Sequence, residues 1–177
     1  ASWVVDNLGI KERRIAAPDQ TTSDLASIAG MRAIEMAGLR PEDIDLIIVA
    51  TATPDRLAPS TAAIVQDKIQ AYNSVAFDLA AVCSGFLFSM STAAQFIATG
   101  IYNNALVIGA DTFSRIIDWS RRDCVFFGDG AGAAVLTHSD SDAGFLAIRL
   151  YTDGRGKWNF TIPGGGSEFP LSQENVD

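Results

Sequence analysis

Two cysteines and one histidine are the residues of this 177-residue chain best suited to nucleophilic or acid–base chemistry. Cys83 has the more telling setting. It stands in Val75-Ala-Phe-Asp-Leu-Ala-Ala-Val-Cys83-Ser-Gly-Phe86, where a pattern of period two gives way to one of period 3.6. That junction predicts a strand running into a helix, with the thiol at the helix start. The aligned peptide dipoles place about half a positive elementary charge there, which favours the thiolate, the nucleophilic form. Unpaired N–H groups of the first turn could hold an oxyanion, and Gly85 leaves room for close approach. The competing reading is a small buried hydrophobe. Ligand sites in open α/β sheets lie at the carboxyl ends of strands, which favours the functional reading.

The other candidates are weaker. Cys124, in Asp-Cys-Val-Phe-Phe, reads as a core residue of a short buried strand over 124–127. Phe127-Gly-Asp-Gly-Ala-Gly-Ala-Ala134 lacks the glycine spacing of a dinucleotide loop and leads into another strand. It reads as a tight turn packing two strands closely. Pro163-Gly-Gly-Gly-Ser167 lacks the Lys-Ser/Thr ending of a phosphate loop. His138 sits among Ser and Asp residues in what reads as a solvated turn, poorly placed for a catalytic base. No His/Cys cluster has the spacing of a metal site, and no G-x-S-x-G elbow is present. The residues therefore offer a nucleophile without a visible base, and no cofactor is expected.

Around these residues the chain alternates helix-like and strand-like segments, which predicts α/β layering. Thr21 to Gly38 reads as a helix with Leu25, Ile28, Ala29, Ala33, Met36 and Ala37 on its apolar face. Ile44 to Ala50, Val75 to Leu79 and Ala105 to Ala110 read as buried strands. Pro59 marks a helix start. Ser84 to Thr99 reads as a helix with Phe86, Leu87, Met90, Ala93, Ala94 and Ile97 inward. Ala131 to Thr137 and Gly144 to Leu150 supply further strands, and the chain beyond Tyr151 reads as loop. Parallel strands joined by crossover helices imply a layered α-β-α sandwich.

Composition narrows the function classes. Apolar residues make up 48% and charged ones 19%, so disorder is excluded. A chain of this length buries roughly 70% of its unfolded surface. Thirteen basic against 21 acidic residues give a net charge of −8, and no basic stripe offers a nucleic-acid footprint. The charge-free stretch from Leu79 to Ala110 carries Ser, Thr, Gln and Asn and lacks flanking basic clusters, so no membrane span is expected. Without a signal-peptide pattern at the start, the expected compartment is the cytoplasm.

Phe77-Asp-Leu-Ala-Ala-Val-Cys83-Ser-Gly-Phe86 resembles the nucleophile segment of beta-ketoacyl-ACP synthase III, a thiolase-fold condensing enzyme. Phe127-Gly-Asp-Gly-Ala-Gly-Ala-Ala134 resembles the glycine segment of the same family. Trp3, Gly9 to Ile15, Arg32 to Gly38, Ala50 to Pro54, Pro59-Ser60 and Pro163 to Ser167 match in order. The resemblance implies the N-terminal half of a duplicated α-β-α-β-α fold. Residues 1–177 would then form a partial thiolase-like domain, without its opening strand and without the C-terminal half that carries the family's His and Asn. A natural terminus at Asp177, within a loop, is not expected.

The implied chemistry is acyl transfer from a thioester to Cys83, followed by decarboxylative condensation with malonyl-ACP. The implied partners are acyl-CoA, acyl carrier protein and a second copy of the chain in a homodimer. Trp3, Arg121 or Arg122, Ala58 and Phe127 are the implied substrate contacts. Asn7-Leu8 stands where the family commonly has Arg-Thr, which removes one cation from the expected CoA grip and leaves an ACP-borne primer open. Ala58 falls where the family can place a bulky Phe, which implies room for a longer or branched acyl group. The alternatives are a thiolase-fold acyltransferase of secondary metabolism, a non-catalytic partner subunit of a condensing heterodimer, and a stand-alone acyl-binding domain.

Overall fold

The computed structural model describes residues 2–140 and 144–172. The chain divides into two units, residues 1–144 and 145–177. In the first unit the elements run α1 (Ser2–Leu8), α2 (Thr22–Met36), β1 (Leu46–Ala50), α3 (Thr61–Lys68), β2 (Val75–Leu79), α4 (Gly85–Ala98), β3 (Asn104–Thr112) and β4 (Asp129–Thr137). The four strands form one sheet in the order β2-β1-β3-β4. The first three are parallel, and β4 runs antiparallel to β3, so the sheet is mixed.

β1 is buried along its whole length, as its unbroken Leu-Ile-Ile-Val-Ala run demands. Its side chains alternate between two cores. Ile47 and Val49 join Leu106 and Ile108 beneath α2 and α3 through Ala26, Ile34, Ala62 and Val65. Leu46 and Ile48 join Ala105 and Val107 beneath α4 through Ala93 and Ile97. This is the expected α-β-α sandwich.

The inward face of α2 differs from the expected one. The buried stripe is Thr22, Ala26, Gly30 and Ile34, whereas Met36 is 88% exposed and Ile28 is also exposed. Small residues win that face because the helix lies close to β3. A Cβ on Gly30 would stand 3.2 Å from both Ile108 Cδ1 and Leu106 Cδ2. Thr22 tolerates burial because its hydroxyl donates to the Thr53 carbonyl at 2.6 Å and lies 2.8 Å from the Thr112 hydroxyl. The helix starts where the sequence places it, with Thr21 N–H donating to the Asp24 carboxylate at 2.8 Å. It ends at Gly38, whose φ of +70° suits the left-handed residue beyond a helix. In α4 the buried positions are Gly85, Ser89, Ala93 and Ile97, while Leu87 is 66% exposed rather than inward.

Three further expectations fail. Residues 124–127 are not a strand: Arg122–Phe126 forms a 3-10 turn, and Cys124 is only half-buried. Among the described residues no strand pairs with that segment, and Arg13 instead donates to the Val125 carbonyl. The glycines around Gly130 are not a turn but part of β4, with Gly132 opposite Gly109 and Gly130 opposite Asp111. Residues 144–150 are irregular, with Leu146 97% exposed. The short helix α1, which the periodicity did not suggest, buries none of its residues.

The connection between α1 and α2 is tied down by polar contacts. Arg115 donates to the carbonyls of Ala17, Pro18 and Gln20 at 2.9, 3.2 and 2.7 Å. Asp129 accepts from Ala16 N–H, Ser114 N–H and Ser114 Oγ at 2.8, 2.8 and 2.6 Å. Burial alone would raise the Asp129 pKa; the hydrogen bonds outweigh it and hold the carboxyl below the usual range. In the second unit, residues 145–172 contain one 3-10 turn, Gly154–Gly156, and Lys157 Nζ lies 5.4 Å from the centroid of the Trp158 ring.

Two outcomes are expected from these contacts. Gly30→Val should destabilise by about 1–3 kcal/mol in chemical denaturation, because its methyls would overfill the space against β3. Asp24, held at about 2 chiefly by the Lys68 hydrogen bond, has a folded-state pKa below its unfolded one. Its contribution is therefore present above about pH 4 and disappears as pH falls toward 2. Lys68→Met should shrink that acid-side loss by about 1 kcal/mol after solvent screening, the Thr21 hydrogen bonds to Asp24 remaining, in denaturation midpoints followed against pH.

Candidate active site

The loops after β1, β2 and β3 and the segment leading into β4 all lie at one end of the sheet, because β4 runs opposite to the parallel three. Cys83 is exposed at that end, within the 3-10 turn Val82–Ser84 that joins β2 to α4. The turn is short for a geometric reason. Leu79, the last residue of β2, lies beside Ala50 in the β1–β2 ladder. Gly85, the first residue of α4, also rests on Ala50: a Cβ on Gly85 would meet Ala50 Cβ at 3.0 Å and the Leu79 carbonyl oxygen at 3.8 Å. The chain thus leaves Ala50 and returns to it within five intervening residues. Phe86 fixes the exit further, since a Cβ on Gly109 would lie 3.3 Å from its ring.

Such a tight return needs a left-handed residue, and the chain supplies it at Val82, with φ of +46°. For a β-branched residue this conformation costs about 1–2 kcal/mol. Cys83 follows directly and is presented ahead of the α4 N-terminus, whose first-turn N–H groups lack acceptors within the helix.

Carboxylates brace the neighbouring loops. Asp78, on β2, accepts from the N–H groups of Thr61 and Ala62 at 2.7 Å each, and Ser60 Oγ accepts from Ala63 N–H at 3.2 Å. The α3 N-terminus is thereby satisfied, which fixes the end of the loop carrying Ala58. Its start is held by Asp55, which accepts from Ser23 N–H and Oγ at 2.8 and 2.6 Å. Asp111 gathers the residues just after β1, accepting from Ala52 N–H at 2.8 Å, Thr53 Oγ1 at 3.2 Å and Thr51 Oγ1 at 3.3 Å. Burial pushes its pKa up despite these bonds.

Ala58 and Leu57 project from the loop after β1, Leu57 being 88% exposed. Phe127 stacks on Phe113 with ring centroids 5.1 Å apart, between the ends of β3 and β4. Arg121 and Arg122 stand in the connection between those strands, with Arg121 paired to Asp123 at 3.1 Å. Topology thus brings Cys83, Ala58, Phe127, Arg121 and Arg122 to one end of the sheet. Trp3 lies apart from those loops in the chain, half-exposed on α1. His138 is exposed just beyond β4, at the opposite end of that strand from Phe127. Among the described residues no His, Cys, Asp and Glu group could hold a metal ion.

The comparisons with known proteins fit this geometry. The model of the family described as 3-Oxoacyl-[acyl-carrier-protein (ACP)] synthase III matches residues 77–154, a span that opens two residues into β2 and contains Cys83. The beta-ketoacyl-[acyl-carrier-protein] synthase III of Caldanaerobacter subterraneus is 53% identical over 176 residues, 99% of this chain and 53% of that protein. The chain is thus similar to beta-ketoacyl-[acyl-carrier-protein] synthase III over nearly its whole length. It spans about half the length of the curated relatives it matches. The solved synthase III of Aquifex aeolicus superposes with a TM-score of 0.84 at 46% identity, covering 87% of this chain and 50% of that one. The OleA protein of Xanthomonas campestris, solved with bound lauric acid and lauroyl-CoA, superposes with a TM-score of 0.71 at 27% identity, covering 79% and 47%. The likeness to solved synthase III chains makes the sandwich thiolase-like.

The change of period located the Cys83 turn but not its braces. Asp78 was open to detection as a lone charge inside an apolar strand. Asp111 and Asp129 carry no such signal, because their partners come from distant loops. Asp78→Ala should cost about 1–2 kcal/mol in chemical denaturation by leaving two α3 N–H groups without acceptors.

Proposed function

We propose that this chain carries the acyl-accepting centre of a 3-oxoacyl-ACP synthase III-type condensing enzyme. The exposed thiol of Cys83, held on a rigid turn at the strand ends of a synthase III sandwich, carries the reading. In the first half-reaction the Cys83 thiolate attacks the carbonyl of an acyl thioester. The new C–S bond forms as the thioester C–S bond breaks, and the donor thiol leaves. Backbone N–H groups at the turn are suited to the oxyanion of the tetrahedral intermediate.

In the second half-reaction malonyl-ACP loses carbon dioxide. The resulting carbanion attacks the acyl carbon, and the Cys83 thiol is released as the beta-ketoacyl-ACP forms. The family resemblance assigns the base and the second oxyanion donor for that step to residues outside these 177. Acyl-CoA and acyl carrier protein are the proposed partners, with the grip on CoA drawn from Trp3 and Arg121 or Arg122. The proposed assembly is a homodimer, for which β2 offers an open sheet edge, and the proposed compartment is the cytoplasm. No described helix is long and apolar enough to cross a membrane.

The test is intact mass after exposure to a panel of acyl-CoAs. One acyl group should add to the protein and none to Cys83→Ser. A protein that takes up no acyl group from any donor counts against an enzyme. Ala58→Phe should lower acylation by long primers roughly ten-fold relative to acetyl. An unchanged chain-length profile would sink the assignment of Ala58 to the acyl pocket.

A further inference from the structure

Val82 is a costly choice of residue. At a φ of +46° glycine carries no penalty, whereas valine meets steric opposition from both its branched side chain and its own backbone. The strain cannot relax, because both ends of the turn are anchored on Ala50 and the exit is held again by Phe86 on Gly109. Strain of this kind persists where the surrounding structure over-determines it, and such outliers cluster at functional sites. Its side chain is not spent on the core: Val82 is 44% exposed and belongs to neither buried cluster. It is the immediate neighbour of the exposed Cys83.

We propose that Val82 is a specificity-determining residue that narrows the approach to Cys83. Two methyl groups on Cβ leave valine few rotamers, so the isopropyl group cannot swing aside as a linear side chain could. An electrophile must bring its carbonyl carbon to the sulfur past this fixed group. Crowding acts most strongly on the atom next to the carbonyl and leaves the far end of an acyl chain untouched. Resting on the acyl-transfer reading above, the inference names the substrate class: acyl thioesters unbranched beside the carbonyl. With Ala58 leaving room at the distal end, the site accepts length and rejects branching near the thioester.

Thiol reagents of two sizes test this independently of any acyl donor. Site-resolved mass spectrometry follows Cys83 alkylation by iodoacetamide and by N-cyclohexylmaleimide in the native protein, Val82→Ala and Val82→Gly. The ratio of the bulky-reagent rate to the small-reagent rate at Cys83 should rise roughly ten-fold in Val82→Ala, with Cys124 as the internal reference. Acylation by isobutyryl-CoA relative to acetyl-CoA should rise in parallel. Val82→Gly separates side chain from backbone: it should match or exceed Val82→Ala in both ratios, with a thermal midpoint no lower than that of Val82→Ala. An unmoved reagent ratio overturns the proposal. So does an equal slowing with both reagents, which would make Val82 only a shaper of the turn. A raised reagent ratio with no acylation from either CoA ester supports the narrowing and overturns the acyl-transfer reading alone.

Discussion

Ala50 is the point on which the rest of the site rests. Its neighbour across the ladder ends β2, and the residue packed on its side chain begins α4. One methyl group thus sets both ends of the turn that carries Cys83. A larger residue at position 50 would lift the helix, and a side chain at Gly85 would do the same from the other side. The smallness of both residues lets the helix N-terminus come down onto the sheet. The left-handed backbone at Val82 and the exposure of Cys83 follow from that closeness. The site is therefore specified from the interior outward: the sheet constrains the turn, and the turn constrains the thiol.

Acidic side chains perform the corresponding task for the loops. Asp78, Asp111, Asp129 and Asp55 each accept hydrogen bonds from more than one group on another segment. A carboxylate suits this use because it can take several donors at once without supplying any. They hold chain ends that would otherwise leave N–H groups unpaired at the edge of a buried sheet. Part of the chain's net negative charge thus serves its architecture.

The fold was legible where a segment's pattern and its burial agree. The buried runs of β1 and β3, the capping Thr21 and the terminating Gly38 all declare themselves locally. The inward faces of α2 and α4 did not. Gly30 and Ser89 occupy them because the sheet comes close, and distance between layers is invisible to periodicity. Residues 124–127 and 144–150 look like strands by composition, but a strand needs a neighbour, and among the described residues no ladder forms with them. For the candidate site, the turn that presents Cys83 emerged from its change of period. The left-handed backbone at Val82 did not, since valine is among the residues least suited to it.

The attachment of the segment before α2 has an evolutionary consequence. Arg115 grips it through three main-chain carbonyls and no side chain. Every amino acid carries that oxygen, so the grip is indifferent to which residues stand at positions 17, 18 and 20. The course of this segment can be inherited while its side chains drift. Arg115, whose Nη2 alone reaches all three oxygens, has no comparable freedom.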